Sequence, residues 1–125
     1  MTSSIKAQSN RAELLRRAKM IVWDEAPMAP REALDCLDSL LRDLTNVDHP
    51  FGGKVVVLGG DFRQVLPVMP HSSSEDIVGH AIKNHKYWRD RQVTVHSLAE
   101  NMRAHADKPW RQYLLEIGDG ISPVC

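Results

Sequence analysis

The stretch KMIVWDEAPM, residues 19–28, decides the fold. The apolar side chains Met20 to Trp23 run without interruption into Asp24 and Glu25, and Ala26 and Pro27 then stop the run. A short unbroken apolar run is the pattern of a strand buried on both faces, as in a parallel sheet. Two neighbouring carboxylates at its end have two readings. They are either an exit into solvent or groups set at the carboxyl end of a strand to do chemistry.

Working outward, KVVVLGG at residues 54–60 repeats the pattern, rich in Val and closed by two glycines. Between these runs, APREALDCLDSLLRDLT (29–45) is predicted to be a helix with Pro30 in its first turn. Leu34, Leu37, Leu41 and Leu44 make its apolar stripe, with Asp35, Asp38, Arg42 and Asp43 expected mostly outside it. NRAELLRRA (10–18) is predicted helical, capped by Asn10 with Glu13 in the capping-box position. NVDHPFGG (46–53) reads as a loop, and DFRQVLPVMP (61–70) is too rich in proline for regular structure. SSEDIVGHAIKN (73–84) reads as a helix weakened by Gly79, QVTVHSL (92–98) as a third strand, and PWRQYLLEI (109–117) as a last helix. Strands alternating with helices give an α/β fold, a parallel sheet covered by helices on both faces. Ligands of such sheets sit beyond the carboxyl ends of the strands. Asp24, Glu25 and Asp61 all fall there.

Bulk properties bound the reading. The 125 residues suit one domain, and 42% hydrophobic with 26% charged residues is an ordinary globular composition. The formal net charge of zero gives no support for a nucleic-acid or membrane partner, so any such role must rest on local patches. Cys36 and Cys125 show neither a disulfide framework nor metal spacing, which makes a reducing compartment the default. No run has the length of a membrane span, and the N-terminus carries no targeting signal.

The acids have a specific chemical use. A strand end can fix Asp24 as an anchor for Mg²⁺, which prefers few carboxylates plus water and phosphate oxygens. Glu25 can then orient or deprotonate a water, and phosphoryl transfer asks little more of a protein than positioning and charge stabilisation. Gly59 and Gly60 permit tight turning and close approach of the backbone. Gln64, which can donate and accept hydrogen bonds, suits the sensing of a terminal phosphate. The plainer alternative is a glycine turn with a polar loop.

IVWDEAPM, then FGGKVVVLGGDFRQVLPVMP, then AENMR resembles the petite-integration-frequency DNA helicases, most of all the versions carried by Helitron-type transposons. The resemblance runs from about Ser3 to Gly118. It implies a partial RecA-like phosphate-loop NTPase domain with a parallel sheet, residues 1–125 forming a single partial motor domain. It further implies that Asp24 holds the Mg²⁺ of ATP through water, that Glu25 is the general base, that Gln64 contacts the γ-phosphate and that Asp61 supports this network. Arg103, otherwise read as a surface arginine, would reach the γ-phosphate. The activity implied is ATP hydrolysis driving 5′-to-3′ movement on single-stranded DNA and opening of forked duplexes, in repair, recombination and telomere maintenance. A nuclear setting, or a mitochondrial one, is implied with it.

The phosphate-binding loop G-x-x-x-x-G-K-[ST] is not found in these residues. FGGKVVV fails it, since Val55 follows Lys54 and Asp48 stands at the first glycine position. The expectation is therefore a fragment lacking the phosphate-loop strand and the second motor domain, with sheet edges unpaired and no ATP turnover by itself. Two other readings stay open: a metal-dependent nuclease or phosphohydrolase using Asp24, Glu25 and Asp61, and a non-catalytic remnant that binds DNA or a partner. KNHKYWRDR (83–91) could stack bases with Tyr87 and Trp88, and Phe62 could do the same, although anchoring in a core is the commoner use of such residues. None of the histidines reads as a metal ligand.

Overall fold

The computed structural model describes residues 1–61, 67, 70–100, 102–103 and 106–121. Phe62, Gln64, Asn101 and Cys125 lie outside the described residues. The chain divides into two compact units, Met1–Asp90 and Arg91–Cys125.

The first unit opens with helix α1 (Asn10–Arg17). Its cap is Ser9 rather than Asn10. The extended Ser9 (φ −83, ψ 158) turns its Oγ to accept the Ala12 N–H at 3.2 Å, which satisfies an otherwise orphaned donor. Glu13 pairs with Arg17 at 2.9 Å instead of reaching back to the cap. At the far end, Lys54 Nζ donates to the carbonyls of Arg16 and Ala18 at 2.8 and 2.6 Å. The lysine of FGGK is thus a helix-end cap, where a cation also suits the dipole.

Strands β1 (Met20–Trp23) and β2 (Val55–Leu58) pair in parallel, Met20 opposite Val55 and Trp23 opposite Leu58. The sequence reading expected burial on both faces, and the structure corrects it. Met20, Val22, Val55 and Val57 are exposed on one face, while Ile21, Trp23, Val56 and Leu58 are half-buried on the other. A strand is dry on a face only where a second layer lies over it, and no described element covers this one.

Helix α2 (Arg31–Thr45) follows Pro30 and ends at Asn46, whose left-handed backbone (φ 54) is a usual helix terminator. Leu34, Leu41 and Leu44 are fully packed. Leu37 is half-buried, and with Ala33, Cys36, Leu40, Ile21 and Trp23 it lines an open apolar pocket of about 430 Å³. Asp38, expected at the solvent side of this helix, is buried instead. Beneath α2 runs a 3₁₀ turn, Pro50–Gly53. Gly52 (φ +61) lies so close to α2 that a Cβ there would come 2.5 Å from the Leu41 carbonyl oxygen.

The expected helix over 73–84 stops early, as α3 (Ser74–Gly79), at the glycine that weakens it. The chain then crosses α2's start, where the Arg31 N–H donates to the His80 carbonyl at 2.8 Å and Pro30 bridges Ala81. A 3₁₀ turn (Ile82–Asn84) and the short helix α4 (Lys86–Arg89) complete the unit. In the second unit, residues 92–98 form no ladder among the described residues, and Val95 and Leu98 are exposed there. The expected third strand has no partner, and extended chain without one is not a strand. Helix α5 (Lys108–Gly118) forms as expected, with Asp107 accepting the Trp110 N–H at 3.0 Å and none of its residues buried.

Candidate functional site

The two parallel strands end side by side, and their connection continues past the ladder. The Gly59 N–H donates to the Trp23 carbonyl at 2.8 Å, and the Ala26 N–H donates to the Gly59 carbonyl at 2.9 Å. The segment Asp24-Glu25-Ala26-Pro27 is thereby laid against Gly59-Gly60. Asp24 and Glu25 are both exposed. Glu25 adopts the left-handed backbone (φ 53, ψ 36), and its N–H donates to Asp24 Oδ1 at 2.9 Å. For a residue with a Cβ that conformation costs about 1–2 kcal/mol. The 3₁₀ turn Ala26–Met28 holds it there: the Met28 N–H donates to the Glu25 carbonyl at 3.0 Å, and Ala26 and Pro27 are buried. Strain of this kind is typical of functional positions.

The two glycines do different work. A Cβ on Gly59 would meet Asp24 Oδ1 at 3.5 Å, an ordinary contact. Gly60 has φ +150, and a Cβ there would overlap the Pro27 ring, 2.8 Å from Cγ and closer still to Cδ. Asp61, half-buried, follows Gly60 in the chain. The first unit therefore brings together Asp24, Glu25 and the glycine turn that precedes Asp61. Arg103 belongs to the second unit and is exposed. Gln64 lies outside the described residues.

The donor set suits a hard cation that takes few protein ligands. Asp24 has one carboxylate oxygen engaged by a backbone N–H, an arrangement that orients the group at an exposed strand end. Among the described residues no three His, Cys, Asp or Glu side chains converge as a metal-binding group. Mg²⁺ needs no such cluster, since water and phosphate oxygens complete its shell. A two-ion nuclease centre, by contrast, is built on several converging ligands.

Behind the glycine turn, Trp88 and Ile82 join Ala26, Pro27, Leu58, Gly59 and Gly60 around a small gap of about 40 Å³. Tyr87 is buried. The aromatics of KNHKYWRDR are thus anchoring groups, not an exposed stacking platform.

Their anchor is a polar cluster that the sequence reading missed. Asp38 accepts the Phe51 N–H at 2.6 Å, the Tyr87 hydroxyl at 2.8 Å and Arg42 Nε at 3.1 Å. Arg42 also donates to the Tyr87 oxygen at 3.1 Å and to the exposed Asp48 at 2.6 Å. Burial alone would raise the Asp38 carboxyl, but the Phe51 N–H, Arg42 and Tyr87 outweigh it and hold its pKa below the usual value. Burial pushes the Tyr87 phenol up, and donation to Asp38 adds to that. Nearby, the buried His85 accepts the Tyr87 N–H on Nδ1 at 3.2 Å, which leaves Nε2 to donate to Asp35 at 2.9 Å. His80 Nδ1 lies 2.6 Å from Glu32. Burial would raise the Glu32 pKa, but its own backbone N–H, Arg31 and His80 together lower it. The signal was present: Asp38 falls at helical spacing between Leu34 and Leu41, inside the apolar stripe.

Comparison with known proteins gives one consistent picture. The family model described as PIF1-like helicase matches residues 1–123. The chain is 30% identical over 95 residues, 76% of its length, to the ATP-dependent DNA helicase RRM3 of Saccharomyces cerevisiae. It is 26% identical over 113 residues, 86% of its length, to the ATP-dependent DNA helicase PIF1 of Candida albicans. It spans only 13% and 12% of the lengths of these two relatives. Among solved structures, the Pif1 helicase from Candida albicans superposes with a TM-score of 0.78 at 24% identity, over 95% of this chain and 26% of that one. The Pif1 helicase from Bacteroides in complex with ADP-AlF3 and ssDNA superposes with a TM-score of 0.77 at 22% identity, over 98% and 29%. The fold is that of part of such a helicase's motor domain.

Proposed function

The chain belongs to the PIF1-like helicase family, and from that premise we propose that it carries part of the ATP-hydrolysing centre of a DNA helicase. The observation that supports this most is the pairing of the strand ends: an exposed Asp-Glu pair on one parallel strand, tied by the Ala26–Gly59 hydrogen bond to Gly-Gly-Asp on its neighbour. In this reading Asp24 holds the Mg²⁺ of ATP through water. The ion, when bound, neutralises charge on the phosphate oxygens. Glu25 takes the proton of the water that attacks the γ-phosphorus. Asp61 steadies the loop, Gln64 on that loop senses the γ-phosphate, and Arg103 stabilises charge on the transferred group.

The finer assignments are of the same kind. Single-stranded and forked DNA are the proposed partners, with 5′-to-3′ movement driven by hydrolysis; the Bacteroides relative bound to ADP-AlF3 and ssDNA supports ATP and single-stranded DNA as the partner classes. Roles in repair, recombination and telomere maintenance, a Helitron-type origin, and a nuclear or mitochondrial setting rest on the resemblance of the motifs. Residues 1–125 act in this reading as one part of a helicase motor domain.

A chimera tests the site. Residues 20–64 replace the corresponding segment of a PIF1-like helicase, and DNA-stimulated ATP hydrolysis is measured. The chimera hydrolyses ATP, and Glu25→Gln lowers its kcat by roughly 10²–10⁴-fold, the usual worth of a general base. Hydrolysis unchanged by Glu25→Gln overturns the assignment.

A further inference from the structure

The contact between Pro27 and Gly60 has no part in the chemistry described above, yet it is the tightest feature of the strand ends. The Pro27 ring occupies the space that a side chain on Gly60 would need. Ala26 and Pro27 are buried, although the acids just before them are exposed. The Ala26 N–H to Gly59 carbonyl bond, 2.9 Å, lies directly beside this contact. Trp88 and Ile82 share with the proline the lining of the small gap beside this contact.

We propose that Pro27 is a positioning residue for Glu25: its ring, seated on Gly60, locks the turn that holds Glu25 in the left-handed conformation. The proposal rests on the reading of Glu25 as the general base only for its functional meaning. The physical logic is that Glu25 adopts an unfavourable backbone and must be held in it from outside. The Met28 N–H to Glu25 carbonyl bond closes the turn, and the proline fixes one dihedral inside it. Gly60 then supplies a floor without a Cβ. Any displacement of the chain at Gly60, which leads into Asp61 and on towards Gln64, bears on the Pro27 ring and so on Glu25. Contact of this kind couples the two acidic segments.

The test needs no turnover. The ¹⁵N,¹³C-labelled chain is compared with Pro27→Ala, Gly60→Ala and, as a control, Gly59→Ala. Backbone chemical shifts report whether Glu25 keeps its left-handed conformation, and amide exchange reports local opening. Pro27→Ala removes the left-handed signature of Glu25 and speeds exchange of the Glu25 and Ala26 amides by roughly tenfold. The amides of Leu41 and Leu44, in the packed part of α2, keep their rates. Gly60→Ala does the same or more, and Gly59→Ala leaves Glu25 unchanged. If Gly60→Ala unfolds the chain, Pro27→Ala decides alone, because it adds no atom to the turn. A Pro27→Ala chain with wild-type Glu25 shifts and exchange overturns the proposal, as does one whose amides all speed up together. Failure of the ATPase reading leaves this exchange pattern intact, so the two claims fail separately.

Discussion

Asp38 and Asp24 are the same side chain in two opposite situations. Asp38 is buried on α2 and accepts hydrogen bonds from a backbone N–H, a phenol and a guanidinium. Asp24 is exposed at the end of β1 and accepts one, from the next backbone N–H, among the described residues. A buried carboxylate whose lone pairs are filled can only hold structure. An exposed carboxylate with one oxygen pinned is oriented and still has capacity for a ligand. The difference shows that partner count and burial, more than the acid's identity, separate scaffold from chemistry. It also links the two places: Asp38 holds Tyr87, and the adjacent Trp88 backs the glycine turn beside Asp24.

The sharpest way to break the comparison is to remove Asp38. Asp38→Ala leaves the Tyr87 hydroxyl and the Phe51 N–H without their buried acceptor. The expected loss is about 3 kcal/mol, since each unpaired buried group costs about 1–3 kcal/mol. Urea unfolding followed by circular dichroism measures it. A loss below 1 kcal/mol would mean that water replaces the carboxylate and that the cluster is not buried as described.

Acid titration sharpens the same point. The folded pKa of Asp38 is depressed, so its contribution is fully present above the unfolded value of about 3.9 and is lost as pH falls through the folded pKa. Glu32, also lowered, acts in the same direction. The urea midpoint therefore rises with pH through the acid range and then levels off. Asp38→Asn should flatten that rise, and an unchanged slope would assign the acid sensitivity to other carboxylates.

These two acids also show what was legible in the sequence. Unbroken apolar runs gave β1 and β2 and a parallel sheet, although the burial of both faces expected with them fails on the face of Met20, Val22, Val55 and Val57. Helices α1, α2 and α5 followed from periodicity, and the position of Asp24 and Glu25 from the strand end. The errors came where long-range packing decides. Its charge alone puts Asp38 outside the stripe, although its place in the stripe and the distant Tyr87 fix its burial. Ser9 and Asn10 are both good caps, and local composition cannot choose between them. Residues 92–98 have strand composition, but a strand needs a neighbour, and sequence alone does not say that one is at hand. The Glu25 backbone and the Pro27–Gly60 contact were invisible, since both depend on how two separate segments meet.

A smaller effect separates the glycines next to Asp24. Gly60→Ala places a Cβ into the Pro27 ring and onto an unfavourable backbone, for an expected loss of about 1–3 kcal/mol. Gly59→Ala makes an ordinary 3.5 Å contact with Asp24 Oδ1 and should shift stability by less than about 1 kcal/mol. Equal effects in thermal unfolding would mean that the turn can slide and that the pair GG acts as one flexible unit.

The smallest expected change in stability is at Asp24 itself. An asparagine Oδ1 still accepts the Glu25 N–H, and no buried donor depends on the charge, so Asp24→Asn should move the urea midpoint by less than about 0.5 kcal/mol. What it removes is the negative oxygen that a divalent cation requires. Titration with Mn²⁺, a paramagnetic stand-in for Mg²⁺, distinguishes the two roles. In the wild-type chain the ion broadens the amides of residues 24–26 and 59–60 ahead of those around Asp38, and in Asp24→Asn it does not. Broadening that survives the substitution would move the cation to Glu25 or Asp61. Broadening that is lost together with stability would make Asp24 a second Asp38, and the contrast between the two acids would no longer hold.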